Sequence, residues 1–152
     1  MNKLFVIFAA FLICLTVQAK KSKAVIEMAD SRIFAPLKGS NATAGYASIK
    51  NISKKTVVIS ILHAESFKAA ELHETIEKDN RMSMQKVDQL VIRSGQGIEL
   101  KPGGNHIMLF DSNRELNPGD VLKVSFIVNG KPQDFLFDVI SRVTRKGDIK
   151  TH

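Results

Sequence analysis

Beyond residue 20, apolar residues occur in short runs separated by polar and turn-forming residues, and no stretch has a sustained helical period. Many runs are rich in valine and isoleucine, which is typical of strands. The predicted strands cover residues 24–28, 44–49, 56–62, 70–76, 82–87, 90–92, 98–100, 105–110, 121–128 and 133–140. The run over 56–62 is continuously apolar, which predicts a strand buried in the core. Many short, closely spaced strands predict an all-β sandwich or barrel.

Turn sequences separate several of these runs. Lys-Pro-Gly-Gly at 101–104 and Asn-Pro-Gly-Asp at 117–120 are strong turn signals. Asn129-Gly130 is a hairpin dipeptide, so we expect the strands before and after it to pair directly. With 152 residues, no internal repeat and no linker, the chain has room for a single domain.

The first residues form a targeting segment. Lys3 precedes an apolar run, and Val17 and Ala19 place small residues at a cleavage site. The apolar run is shorter than the roughly 20 residues that a spanning helix needs, so we expect no stable membrane insertion. Ile13 before Cys14 does not fit a lipoprotein cleavage site. The predicted organisation is a signal peptide over 1–19, a domain over 20–140 and a polar tail over 141–152.

Charge and cysteine content narrow the possible functions. The net charge is +7, but the lysines are scattered and no basic run is interleaved with aromatic residues, so nucleic-acid binding is not expected. The one cysteine, Cys14, lies in the predicted signal peptide. An exported chain without a thiol cannot use a cysteine nucleophile, disulfide exchange or blue-copper ligation.

Histidine and methionine are the informative residues of the predicted mature chain. They are His63, His73, His106, His152, Met28, Met82, Met84 and Met108. His106 and Met108 are two positions apart in a predicted strand and therefore project from the same face. If the segments around His73 and Met84 converge on them, two imidazoles and two thioethers form one set. Such soft, neutral ligands favour Cu(I), although each residue taken singly is more typical of core filling or of the surface.

The spacing of these residues resembles the motif of the PCu(A)C family of bacterial periplasmic copper chaperones. Ten residues separate His73 from Met84, and twenty-one separate Met84 from His106-Ile107-Met108. The segments Glu-Leu-His-Glu-Thr at 71–75 and Leu-Lys-Pro-Gly-Gly-Asn-His-Ile-Met-Leu at 100–109 are also similar to the family's sequences around its ligands. The resemblance extends over about residues 24–140.

The resemblance implies a cupredoxin-like Greek-key β-sandwich or barrel that carries Cu(I) through the periplasm. It implies the metal ligands His73, Met84, His106 and Met108. The family's usual recipient is the copper centre of cytochrome c oxidase, often together with a Sco-type partner. A single tail histidine, His152, does not support the additional Cu(II) site that some members carry.

Neighbouring residues and other functions remain as alternatives. Met82 is a reserve ligand because it lies two residues before Met84, and either Glu71 or Glu74 could orient the second nitrogen of His73. A copper enzyme is not expected, because cupredoxin-type oxidases need a cysteine ligand. The remaining alternative is a metal-free exported β-sandwich that acts as a binding module.

Overall fold

The computed structural model describes residues 24–78 and 80–142, and every regular element in these ranges is a β-strand. The strands are β1 (Ile26–Phe34), β2 (Ala42–Asn51), β3 (Val57–Ala64), β4 (Phe67–Lys78), β5 (Arg81–Val87), β6 (Leu90–Ile92), β7 (Gly97–Leu100), β8 (Asn105–Ser112), β9 (Val121–Val128) and β10 (Lys131–Ile140). The all-β prediction is confirmed, and each predicted strand is present. The predicted signal peptide over 1–19 and the tail beyond Arg142 lie outside the described residues.

All ten strands belong to one sheet, in the order β5-β4-β8-β7-β2-β1-β10-β9-β3-β6. Most neighbours are antiparallel, but β1 and β10, the first and last strands of the described residues, pair in parallel, as do β7 and β8 at one position. The strands β5, β4 and β8 are consecutive at one end of this order, with β5 as the edge strand. Within the described ranges, no helix has the length and apolar character needed to cross a membrane.

A single hydrophobic core joins the two halves of the sheet. One half runs from β5 to β1 in the sheet order and supplies Leu72, Ile107 and Leu109. The other half runs from β10 to β6 and supplies Phe126 and Phe137. The rings of Phe126 and Phe137 are stacked with centroids 6.4 Å apart, and both side chains are fully buried. Each such side chain contributes about 1.5–3 kcal/mol by leaving water. Since both halves supply this cluster, the sheet must curl around it, which leaves an inner and an outer face.

Two bulges change the faces that the sequence pattern predicts. In β1, Ile26 and Ile33 are both buried although seven positions separate them, because the register with β2 shifts between Ala29 and Arg32. The strand continues beyond this bulge to Phe34, whereas the sequence predicted its end at residue 28. In β3, the prediction of burial along 56–62 is wrong at Leu62, which is 56% exposed. The register with β9 shifts beside this residue.

The predicted hairpin between β9 and β10 is confirmed. Asn129 and Gly130 form its two-residue turn with φ values of 49° and 78°, as a type I′ turn requires. The side-chain oxygen of Asn129 also accepts a hydrogen bond from the backbone N–H of Val58 at 2.9 Å. The turn thus fixes the start of β3 as well as the hairpin.

Candidate functional site

His106 and Met108 lie on the outer face of β8, as the sequence predicts. The residues that alternate with them, Ile107 and Leu109, are fully buried in the core. Because side chains alternate along a strand, His106 and Met108 must project from the opposite face. His106 is nevertheless only 5% exposed. Its ring is therefore held by neighbouring groups on the outer face rather than free in solvent.

The adjacent strand β4 places His73 directly opposite His106. The register pairs His73 with His106 and Glu71 with Met108, so all four side chains share the outer face. The centroids of the two imidazole rings are 5.9 Å apart. Leu72, between Glu71 and His73, is in the core. The structure thus brings together two of the predicted ligands that are distant in sequence.

Met84 lies on the same face but on the edge strand β5. It is opposite Thr75, while Lys86 is opposite His73. Met84 is 59% exposed, and Met82, on the same face, is 67% exposed. Met84 is therefore a diagonal neighbour of His73, about 7–8 Å away in a regular sheet and within reach of a long side chain.

The two predicted methionine ligands lie on opposite diagonals of His73. Met84 is at the level of Thr75, whereas Met108 is at the level of Glu71. In a flat sheet this offset of two strands and four residues corresponds to about 16 Å between the Cα atoms of the two methionines. The register therefore places both methionines diagonal to His73, with Met84 and Met108 on opposite sides of it.

Hydrogen bonds fix both imidazoles. Nε2 of His73 is 2.9 Å from Oε2 of Glu71, and Nζ of Lys86 donates to Oε1 of the same carboxylate at 2.9 Å. The hydrogen bond with His73, and to a smaller extent the one with Lys86, lowers the pKa of Glu71 below its ordinary value. Nδ1 of His73 is buried and has no hydrogen-bond partner among the described residues. Nδ1 of His106 is 2.9 Å from the backbone oxygen of Gly104.

The other histidines and methionines lie elsewhere or outside the description. Met28 packs against the core from β1, and His63 is exposed on β3. His152 is outside the described residues. Among the described residues, no three histidine, cysteine, aspartate or glutamate side chains form a group that could hold a metal ion. A metal site on this face would therefore have to include the methionines.

Beside Met108, on the side of β2, lie two arginine–aromatic pairs, Arg32 with Tyr46 and Arg142 with Phe34, which together form an aromatic and cationic flank. The guanidinium of Arg32 lies 5.7 Å from the ring centroid of Tyr46, and that of Arg142 lies 5.4 Å from the ring centroid of Phe34. Burial raises the pKa of Tyr46, and the nearby arginines partly offset this effect. Sequence reasoning did not identify this flank, because it depends on β1 and β2 lying beside β8 and on Arg142, after β10, reaching β1.

The family is established by sequence. The sequence model of the family described as "Putative lipoprotein LpqE-like" matches residues 26–135. A Rickettsia prowazekii protein is 32% identical over 92 residues, which make up 60% of this chain and 51% of that relative. The chain thus spans about half the length of this curated relative.

Solved structures share the fold. The copper-bound PCuAC domain from PmoF2 superposes with a TM-score of 0.64 and 15% identity, over 78% of this chain and 94% of that domain. The solution structure of CuI-DR1885 from Deinococcus radiodurans gives a TM-score of 0.65 and 18% identity, over 83% and 85%. At these identities the likeness establishes the fold alone. The chain therefore belongs to the LpqE-like family, and its fold is that of the PCuAC domains, as the sequence resemblance predicts.

Proposed function

We propose that the protein is an exported copper chaperone that binds Cu(I) through His73, His106, Met108 and Met84 and transfers it to a recipient copper protein. The observation that carries this proposal is the direct pairing of His73 with His106, with Met108 on the same face. A centroid separation of 5.9 Å is short enough for one nitrogen of each ring to lie about 2 Å from a shared ion. Nδ1 of His73, which is buried and has no hydrogen-bond partner within residues 24–78 and 80–142, is a suitable ligand atom.

The chemistry of the donor set favours Cu(I). Imidazole and thioether groups are neutral, and thioether sulfur selects soft ions such as Cu(I) over zinc, calcium or magnesium. Glu71 carries a negative charge beside the site, but Lys86 is paired with it at 2.9 Å. The site therefore neutralises little of the charge of a bound ion. This is less unfavourable for a monovalent ion than for a divalent one.

The positions of the methionines suggest how the ion is held and released. His73, His106 and Met108 come from two neighbouring strands inside the sheet, whereas Met84 comes from the edge strand. Ligation by both thioethers at once requires the edge strand β5 to bend across β4 toward Met108, since β4 is already paired with β8. Met84 is also the most exposed of the four side chains. It is the ligand that an acceptor's own side chain can replace first.

The recipient, the compartment and the absence of catalysis are parts of the same proposal. The resemblance to PCu(A)C proteins supports the copper centre of cytochrome c oxidase as the recipient, a Sco-type protein as a partner and the periplasm as the compartment. Export is also supported by the lipoprotein description of the family and by the apolar segment over 1–19. A carrier rather than an enzyme fits a site with no cysteine ligand.

An anaerobic competition titration with a chromogenic Cu(I) chelator tests the proposal. We expect the purified protein to bind one Cu(I), and Met108→Leu to weaken that binding at least tenfold, since even groups outside the ligand shell change affinity by about 10–100-fold. Leucine keeps the bulk of methionine and removes the sulfur, so the sheet should be unaffected.

Two results would contradict the proposal. The first is a protein that does not bind Cu(I), which would favour the metal-free binding module. The second is a Met108→Leu variant that loses Cu(II) and Cu(I) binding equally, which would mean that thioether ligation does not decide the choice of ion.

A further inference from the structure

We propose that Glu71 is a positioning residue that holds His73 in the tautomer with its proton on Nε2, so that His73 binds copper through Nδ1 while His106 binds through Nε2. This inference rests on the proposed function and adds the identity of the ligating atoms and of the group that selects one of them.

The contact between Glu71 and His73 fixes the proton. Nε2 of His73 lies 2.9 Å from Oε2 of Glu71, and an ionised carboxylate can only accept a hydrogen bond. Nε2 must therefore carry the proton and donate it. In a neutral imidazole this leaves Nδ1 with its lone pair free. Nδ1 of His73 is the side-chain atom that is buried without a partner among the described residues, as a ligand atom awaiting an ion would be.

Strand geometry explains why Glu71 has this role and Glu74 does not. Glu71 is two positions from His73 and shares its face, whereas Glu74 is adjacent in the chain and projects from the opposite face. Lys86, the register partner of His73 on β5, donates to the other oxygen of Glu71 at 2.9 Å. The carboxylate is thus held by two donors, and its orientation toward His73 is set by both strands.

His106 has the opposite tautomer for a different reason. Its Nδ1 lies 2.9 Å from the backbone oxygen of Gly104, which can only accept, so Nδ1 carries the proton and Nε2 is free. The same oxygen accepts from the backbone N–H of Thr75 at 3.2 Å. A backbone group anchored by β4 therefore selects the tautomer of His106. Changes at Glu71 should leave His106 unaffected, which makes His106 an internal reference.

Nitrogen NMR of histidine-labelled full-length protein tests the assignment without metal. In alkaline solution we expect an unprotonated Nδ1 in His73 and an unprotonated Nε2 in His106. Addition of Cu(I) should then shift these two nitrogens. A protonated Nδ1 in His73, or a Cu(I)-induced shift at its Nε2, would overturn the inference even if copper binds tightly.

Three variants test the role of Glu71. Glu71→Leu removes the acceptor, so we expect His73 to become a mixture of tautomers and Cu(I) affinity to fall by about 10–100-fold. Glu71→Gln keeps an oxygen acceptor and should restore the Nε2-protonated form. Glu74→Leu is the matched control and should change neither readout. Unchanged His73 nitrogens and affinity in Glu71→Leu would overturn the inference.

The outcomes separate this inference from the proposed function. Tight Cu(I) binding with the wrong nitrogens of His73 contradicts only the role of Glu71. Absence of Cu(I) binding in the wild-type protein contradicts both the chaperone proposal and the assignment of ligating atoms. If Glu71→Leu does not fold, as judged by its amide spectrum, the metal-free wild-type spectrum still decides which nitrogen of His73 carries the proton.

Discussion

His73 and His106 face each other across β4 and β8 as a direct register pair, with ring centroids 5.9 Å apart. One imidazole is held by a side chain, Glu71, and the other by a backbone oxygen, that of Gly104. The two rings are therefore positioned before any ion arrives, which reduces the ordering that binding requires. Because their supports differ, a single substitution can release one ring and leave the other in place.

Met84 and Met82 offer a matched comparison on β5. They lie two residues apart on the same face and are 59% and 67% exposed. We expect Met84→Leu to weaken Cu(I) binding at least about tenfold and Met82→Leu to have little effect, since only Met84 is diagonal to His73. Neither should change the free energy of unfolding by more than about 0.5 kcal/mol, because both side chains are exposed.

Chelator competition measures the affinities, and urea unfolding measures the stabilities. Equal weakening in both variants would show that Met82 is also a ligand. No weakening in either would remove β5 from the site.

Binding of Cu(I) should also move β5. In a flat sheet the register would put the Cα atoms of Met84 and Met108 about 16 Å apart, so we expect an ion bound to both to bend β5 across β4 toward Met108. We expect Cu(I) to shift the backbone amide resonances of β5 strongly and those of β9 little. The Met84→Leu variant should bind Cu(I) more weakly and lose the β5 shifts. Strong β5 shifts that persist in this variant would contradict the mechanism.

We expect Asn51 to stabilise the fold and to have no part in copper binding. It is fully buried, and its amide nitrogen donates to the backbone oxygens of Lys55 and Ile92, each at 2.8 Å. Asn51→Ala removes both of these hydrogen bonds and also the Oδ1 acceptor of the backbone N–H of Ser53, which should lower the free energy of unfolding by about 1–3 kcal/mol. Urea unfolding checks this value. Asn113→Ala, at an exposed position, is the control and should be close to neutral.

Asp120 should make stability depend on acid pH. The backbone N–H of Asn117 and the guanidinium of Arg114 lower its pKa below the ordinary value of 3.8. A carboxylate with a lowered folded-state pKa stabilises the fold above its unfolded-state pKa, and this contribution is lost as pH falls through the folded-state value. We expect Asp120→Asn to be less stable than wild type near pH 7 and to converge with it well below pH 3.8. A difference that is the same at both pH values would contradict this.

The sequence pattern predicted the strands well because most of them are regular. In β1 the alternation of apolar and polar residues did not predict which side chains face the core. Asp30 has a φ of 52°, and the bulge beside it reverses which positions face the core. A pattern of period two cannot anticipate such an inserted residue, so the predicted strand ended at residue 28, although β1 continues to Phe34. The exposure of Leu62 in β3 was missed for a similar reason.

The candidate site was predictable only in part. His106 and Met108 share a face because they are two residues apart in one strand, and the same rule could have selected Glu71 over Glu74 as the neighbour of His73. The pairing of His73 with His106, and the position of Lys86 opposite His73, depend on which strands are neighbours and in what register. Those relationships arise from the folding of the whole sheet and are not encoded in local spacing.

The parallel pairing of β1 with β10 has a consequence for folding. The first and last strands meet in the middle of the sheet through Arg32–Asp138, Ile33–Val139 and Phe34–Ile140, and this seam joins its two halves. The seam closes only after the last strand is available, so the contact of longest sequence separation governs completion of the domain. A chain truncated before β10 would leave two half-sheets with open inner edges, which are templates for aggregation.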